Sequence, residues 1–297
     1  MNSVDYVYRF DPANPTLKSS PGDALTARAT LEEGNRMFAR WMASCRDGEL
    51  TDGGSTYVVP CNALEVGMVR KADQTARQAP FAVVVGCSDA RVPTEMLFGQ
   101  GFNDVFVIRV AGNILGDVCM GSIDFALTAL IESVKVVVML GHSGCGAVTA
   151  AVDSYLEPLK FWSKTTSPTL RAILERIFVA VREAANGIHE IWGADASRIP
   201  GYRSALIEIA VAINAAQAAF DLRQETERMG RTNVEVLFGV YDLHSYQVCM
   251  PVVPGLKAED QHVGLAPAPH DPAEFIALAR QMARLLQLRD PETDTSN

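Results

Sequence analysis

No basic tract interrupts this sequence: 26 Lys and Arg stand against 35 Asp and Glu, a formal charge of -9. Proteins that hold nucleic acid by its phosphates need clustered cations, so no nucleic-acid partner is expected. No run reaches the roughly 18 uninterrupted apolar residues of a membrane-spanning helix, so no membrane association is expected either. Residues Met1 to Asp23 are polar and proline-rich and lack the apolar core of a secretory leader, which makes a cytoplasmic location the expectation. The six cysteines (45, 61, 87, 119, 145 and 249) then have no oxidising compartment in which to build a disulfide framework. They remain as packing residues, reactive thiols or metal ligands. Cys45, Cys61, Cys119 and Cys249 have no metal-like neighbour and read as small buried hydrophobes. Several catalytic signatures are missing as well. There is no Gly-x-Gly-x-x-Gly and no phosphate loop, and His189-Glu190 lacks the second His of a zinc protease. Gly141-His142-Ser143-Gly144-Cys145 lacks the last Gly of a nucleophile elbow. His244, His262 and His270 have no partner pattern, and there is no internal repeat.

What is present is a hydrophobic fraction of 48%, ample for a core. Four short apolar runs, Phe81–Val85, Val105–Val110, Lys135–Leu140 and Val234–Val240, lack the two-residue alternation of a half-solvated sheet. They suit parallel strands covered by helices on both faces. Helical spacing predicts segments over Thr26–Cys45, Ser122–Ser133, Ala147–Leu156, Thr169–Ala185, Tyr202–Arg228 and about Pro272–Leu288, with a further helix ending near Gln78. Asp47–Ser55 reads as a loop. Strand–helix alternation predicts an α/β fold: an open, mainly parallel β-sheet flanked by helices, with an N-terminal helical arm and a C-terminal helical extension. Residues 1–24 read as an extended arm and the end of the chain as a fraying tail.

Two segments follow directly on strands, Gly86-Cys87-Ser88-Asp89-Ala90-Arg91 and Gly141-His142-Ser143-Gly144-Cys145-Gly146. Ligands of open parallel sheets collect beyond the carboxyl ends of the strands, so neighbouring strands would bring Cys87 to His142 and Cys145. One imidazole and two thiolates suit zinc, and three protein ligands leave the fourth tetrahedral position of a catalytic site open. Gly144 and Gly146 permit the tight turn, and Cys145 stands where a helix dipole favours a thiolate. A buried His and Cys three apart would be unremarkable alone. The glycines and the Asp89/Arg91 pair at two strand ends favour the metal.

Together these motifs resemble the signature of the β-class carbonic anhydrases. The likeness extends to Leu31-Glu32-Glu33-Gly34-Asn35-Arg36-Met37-Phe38, Gln78-Ala79-Pro80, Phe106-Val107-Ile108-Arg109, Ala111-Gly112-Asn113 and Gly239-Val240-Tyr241-Asp242. It covers about residues 25–255, which this reading takes as the catalytic domain, with 256–297 as a C-terminal extension. The resemblance implies Zn²⁺ on Cys87, His142 and Cys145. It implies Asp89 and Arg91 as a catalytic dyad, with Asp89 a fourth ligand in the resting form of some members. It further implies Gln78 as the amide that hydrogen-bonds bicarbonate, Phe106 as an apolar wall of the pocket beside Phe125, and a homodimer or higher even oligomer with sites near the subunit boundary. Ala90 stands where Ser is usual, Phe125 where Tyr is frequent, and Val110 where Asn is common.

The implied activity is reversible hydration of CO₂ to bicarbonate by zinc-bound hydroxide. Two thiolates cancel the charge of Zn²⁺, so the bound water should titrate above that of a three-imidazole site, with activity rising on the alkaline side; a rate profile flat down to about pH 6 would refute this. Carbonyl sulfide or carbon disulfide hydrolysis is the alternative on the same zinc residues, and the 155–205 region could reshape an access channel. A catalytically silent zinc-binding scaffold is the alternative outside enzymes, disfavoured by the Asp89/Arg91 pair.

Overall fold

The computed structural model describes residues 3–13, 20–46, 55–63, 76–162, 167–249 and 264–287. The four apolar runs are strands β3 (Ala82–Gly86), β4 (Val105–Arg109), β5 (Val136–His142) and β6 (Glu235–Tyr241). All four pair in parallel in the order β4-β3-β5-β6. Short antiparallel strands β7 (Val248–Cys249) and β8 (Ala266–Pro267) both add to β6. Every residue of β3 and β5 is buried, which is why neither alternates in polarity. Successive valines face opposite cores. Val83, Val85, Val137 and Met139 join the helix-rich layer. Ala82, Val84, Val136, Val138 and Leu140 face the layer under the first helix.

The chain leaves β3 for β4 on one side and returns to β5 on the other, so the direction of winding reverses between β3 and β5. In open α/β sheets the crevice beyond the carboxyl ends of the strands at such a point is where ligands bind.

Helices α1 (Ala24–Arg46), α2 (Thr94–Leu97), α3 (Asp117–Ala129), α4 (Gly146–Leu156), α5 (Pro158–Phe161), α6 (Pro168–Trp192), α7 (Tyr202–Arg228) and α8 (Pro272–Gln287) complete the described elements, with single 3₁₀ turns at Ala111–Asn113 and Ala196–Arg198. Helix α7 has a mean hydropathy of 1.5 over its most apolar stretch, a value a membrane span could show, but 72% of that stretch is buried against the sheet and neighbouring helices. It is the central packing helix of this fold.

Several expectations need correction. The helix placed at Ser122–Ser133 starts five residues earlier, after an extended Gly116 with Asp117 in its first turn, and ends at Ala129. The helix expected to stop at Ala185 continues through Asn186-Gly187, poor helix formers, to Gly193 at φ +93°. Tertiary packing overrides propensity here: a Cβ on Gly187 would lie 2.7 Å from the Ala279 Cβ of α8, so only Gly lets the two helices meet. The N-terminal arm is more than extended. It forms β1 (Val4–Phe10), which pairs in parallel with an unforeseen β2 (Ser55–Cys61), so Ser55 is strand rather than loop. Tyr6, Trp41 and Tyr57 cluster under this ribbon, with ring centroids 5.2–6.0 Å apart. Most of the loop expected at Asp47–Ser55 and of the helix before Gln78, and the polar end after Gln287, lie outside the described residues; Ala76–Pro80 are irregular.

Candidate metal centre

Cys87 is the first residue after β3, and His142 ends β5, the next strand. Gly144 turns the chain at φ +62°, and Cys145 then stands at the N-cap of α4. The two sulfurs come to 4.0 Å. A nitrogen of His142 joins them, all three ligand atoms lying within 4.8 Å of one another. The three side chains are buried, His142 wholly.

The imidazole is oriented by its own chain. Its Nδ1 pairs with the main-chain carbonyl of Ser143 at 3.0 Å, which leaves Nε2 buried with no hydrogen-bond partner. An orphaned buried nitrogen normally costs stability. Beside two sulfurs it is instead a free ligand lone pair, with the outer hydrogen bond that metal-ligating His almost always makes.

The thiols are prepared unequally. Cys87 is held below the ordinary thiol range chiefly by the S–H of Cys145, helped by His142 and by the N–H groups of Asp89 and Gly112 against the opposing effect of burial. The Gly112 N–H lies 3.4 Å from the Cys87 sulfur. Cys145 is pushed up by the neighbouring Cys87 and by burial, although the Val148 and Ala147 N–H groups at the start of α4 act against both. One thiolate forms readily and the second is opposed by the first. A cation between them removes that opposition, so the donor set fits a thiophilic divalent metal.

Asp89 lies at the rim. Arg91 donates to its carboxylate from Nε at 3.0 Å, Nη2 at 2.8 Å and the main-chain N–H at 2.9 Å. These bonds hold the Asp89 carboxyl well below the usual carboxylate range, and Asp89 in turn raises Arg91. Asp89 Oδ2 is 3.9 Å from His142 Nε2. The structure thus brings together Cys87, His142, Cys145, Asp89 and Arg91.

Gln78 lies elsewhere. Its neighbours are tied to the turn before β4: Asn103 accepts from the Ala79 N–H at 3.2 Å and donates to Arg77 O at 3.0 Å. That turn is at the amino end of the sheet, with the five residues of β3, about 15 Å of strand, between Gln78 and Cys87. Phe106 pairs with Val83 near the start of edge strand β4, and its ring packs 6.3 Å from that of exposed Phe125 on α3. Within one chain these three stand apart from the sulfurs.

Two supports escaped the sequence reading. Arg109, at the end of β4, donates to Cys87 O at 3.1 Å and to Asp89 O, tying down the loop that carries both. Asp242, after β6, accepts from the Ser143 hydroxyl at 3.0 Å. Burial would raise the Asp242 carboxyl, but hydrogen bonds from Ser245, His244 and Ser143 outweigh it and hold the group below its usual range. Both residues stood inside noted motifs, but their roles depend on strand pairing.

Residues 82–248 match the family described as "Carbonic anhydrase". The carbonic anhydrase of Mycolicibacterium smegmatis is 40% identical over 130 residues, 43% of this chain and 59% of that protein. Carbonic anhydrase 2 of Mycobacterium tuberculosis is 46% identical over 82 residues, 28% of this chain and 39% of that protein. The chain thus spans about three fifths of the first relative's length and two fifths of the second's. Among solved structures, a tetrameric β-carbonic anhydrase from Sordaria macrospora aligns at 25% identity and a TM-score of 0.45, over 58% of this chain and 80% of that one.

Proposed function

This chain belongs to the β-class carbonic anhydrase family, and from that premise we propose that it catalyses the reversible hydration of CO₂ to bicarbonate and a proton, with Zn²⁺ held by Cys87, His142 and Cys145. The observation that carries the reading is the convergence of two buried sulfurs and an unpartnered imidazole nitrogen within 4.8 Å. Zinc bound there would supply Lewis acidity, bringing a water's pKa toward neutrality.

The chain's own residues do the rest. Asp89, kept ionised and aligned by Arg91, accepts a hydrogen bond from the attacking water through Oδ2, the oxygen that faces His142. Its low pKa prevents it from becoming a competing acid, so it orients the nucleophile rather than protonating the product. The Gly112 and Asp89 N–H groups stabilise negative charge on Cys87. CO₂ is apolar and uncharged, so it needs a dry approach rather than a charged pocket; the Phe106–Phe125 pair, which stands apart from the sulfurs of its own chain, would line one only from a second copy.

We assign the Gln78 amide to bicarbonate as well, across a subunit boundary. Anchored at the amino end of the sheet, it cannot serve the sulfurs of its own chain, but a second copy can present it. A homodimer with sites at its boundary is therefore part of the proposal.

Stopped-flow CO₂ hydration with zinc measured on the same sample tests the activity. Wild type should carry about one zinc per chain and exceed the buffer rate by orders of magnitude. Cys145→Ala should lose metal and rate together, and Asp89→Ala should keep metal but lose most of the rate. A zinc-loaded wild type no faster than buffer would end the proposal.

A further inference from the structure

We infer that Asp242, acting through the hydroxyl of Ser143, is a positioning residue for the metal centre: the turn after β6 latches the turn that carries His142 and Cys145. The inference rests on the zinc reading above.

Strands β5 and β6 pair as far as His142 opposite Tyr241, and the Ser143 N–H still donates to Tyr241 O at 2.9 Å. There the ladder ends. The next residue, Gly144, has open space around its Cα, and Cys145 caps α4 without a side-chain hydrogen bond. Neither fixes the path from one ligand to the other.

The Ser143 hydroxyl does. It donates to Asp242 Oδ1 at 3.0 Å and accepts from the Leu243 N–H at 2.9 Å, so both its hydrogen-bonding functions are spent on a turn about a hundred residues away in sequence. Asp242 is itself immobilised. It accepts from the Ser245 hydroxyl at 2.7 Å, the Ser245 N–H at 3.0 Å and the His244 N–H at 3.3 Å. A residue with this many local bonds is a rigid anchor for its bond to Ser143.

The consequence for the metal follows from the other end of Ser143. Its carbonyl is the partner of His142 Nδ1, the contact that leaves Nε2 facing the sulfurs. Fixing Ser143 therefore fixes the imidazole, and through Gly144 the distance to Cys145. Partners of this outer kind change metal affinity by about 10–100-fold when removed. The role is separable from turn formation, because the bonds of Asp242 to Ser245 and His244 do not involve Ser143.

The test is competition of the full-length protein with a chromophoric chelator for Zn²⁺, in parallel with thermal melting of the metal-free form. Ser143→Ala keeps the bonds of Asp242 to Ser245 and His244 and loses those of the hydroxyl to Asp242 and Leu243. It should bind zinc about 10–100-fold more weakly while melting within a few degrees of wild type. Ser143→Thr keeps the hydroxyl and should stay within about threefold of wild type. The latch is overturned if Ser143→Ala binds zinc as wild type does, or if the Ala and Thr variants lose affinity equally. Should wild type itself fail to take up zinc, the metal assignment beneath the inference fails instead, and the two failures are distinct.

Discussion

At the residue scale, the centre is an arrangement of charges that are costly unless paired. Asp89 survives as an anion beside two sulfurs because Arg91 engages both carboxylate oxygens. The sign of its contribution is fixed by its depressed pKa: stabilisation is present above the ordinary carboxylate range and lost as pH falls through the folded value. In metal-free protein, the stability gap between wild type and Arg91→Ala should therefore be open at neutral pH and close progressively below about pH 4, as followed by denaturant melts across pH. A gap independent of pH would show that the pair does not set the carboxyl. Gly144 belongs to the same scale. Its φ of +62° costs an L-residue about 1–2 kcal/mol although a side chain there would meet nothing. Gly144→Ala should lower unfolding free energy by about that amount, and Gly144→Asn by less, since Asn tolerates this conformation.

At the element scale, the long helices are held by close approach. Helix α8 lies on α6 where Gly187 faces Ala279, and the Trp192 indole N–H donates to Ala283 O at 2.7 Å. Gly187→Val would drive its Cβ into Ala279 backbone, so α8 must shift or detach. Overpacking of this kind costs about 1–3 kcal/mol, and limited proteolysis should cut the variant near Pro272 sooner than wild type. Equal protection of the two would mean that this contact is not what docks α8. Shortening a side chain beneath the site is the converse case. Ile177 on α6 is fully buried and abuts the position of Gly112, the residue whose N–H serves Cys87. Ile177→Ala should cost about 2–5 kcal/mol by calorimetry.

At the scale of the whole molecule, the two ends of the sheet carry different residues. Cys87, His142, Cys145 and the Asp89/Arg91 pair gather at the carboxyl ends of β3 and β5, and Gln78 sits at the other end. If a second copy supplies Gln78, two inactive proteins should complement: Asp89→Ala mixed with Gln78→Ala and allowed to exchange should regain about a quarter of wild-type activity, because mixed dimers carry one site with both residues. No recovery, with mixed dimers present, would place the amide's work within one subunit or nowhere.

The same scales separate what was legible in sequence. Phe81–Val85 and Lys135–Leu140 announced buried parallel strands because both faces of such a strand are apolar. Cys87, His142 and Cys145 were legible because the Gly-bounded turns that end those strands carry them. The helix bounds drawn at Ser122 and Ala185 misled for different reasons: α3 starts earlier, at its extended N-cap Gly116, whereas beyond Ala185 local propensity was weaker than packing against Ala279. Ribbon β1–β2 was not visible, since its partners are far apart in the chain. Composition and spacing determined on their own which side chains could bind a metal and which strand ends would carry them, since donor chemistry and two-faced burial are properties of short segments. Only the tertiary structure decided that those ends adjoin, that Arg109 and Asp242 bond to the turns there, and that Gln78 lies at the opposite end of the sheet, because strand order and hydrogen bonds across a hundred residues are written in no local stretch of chain.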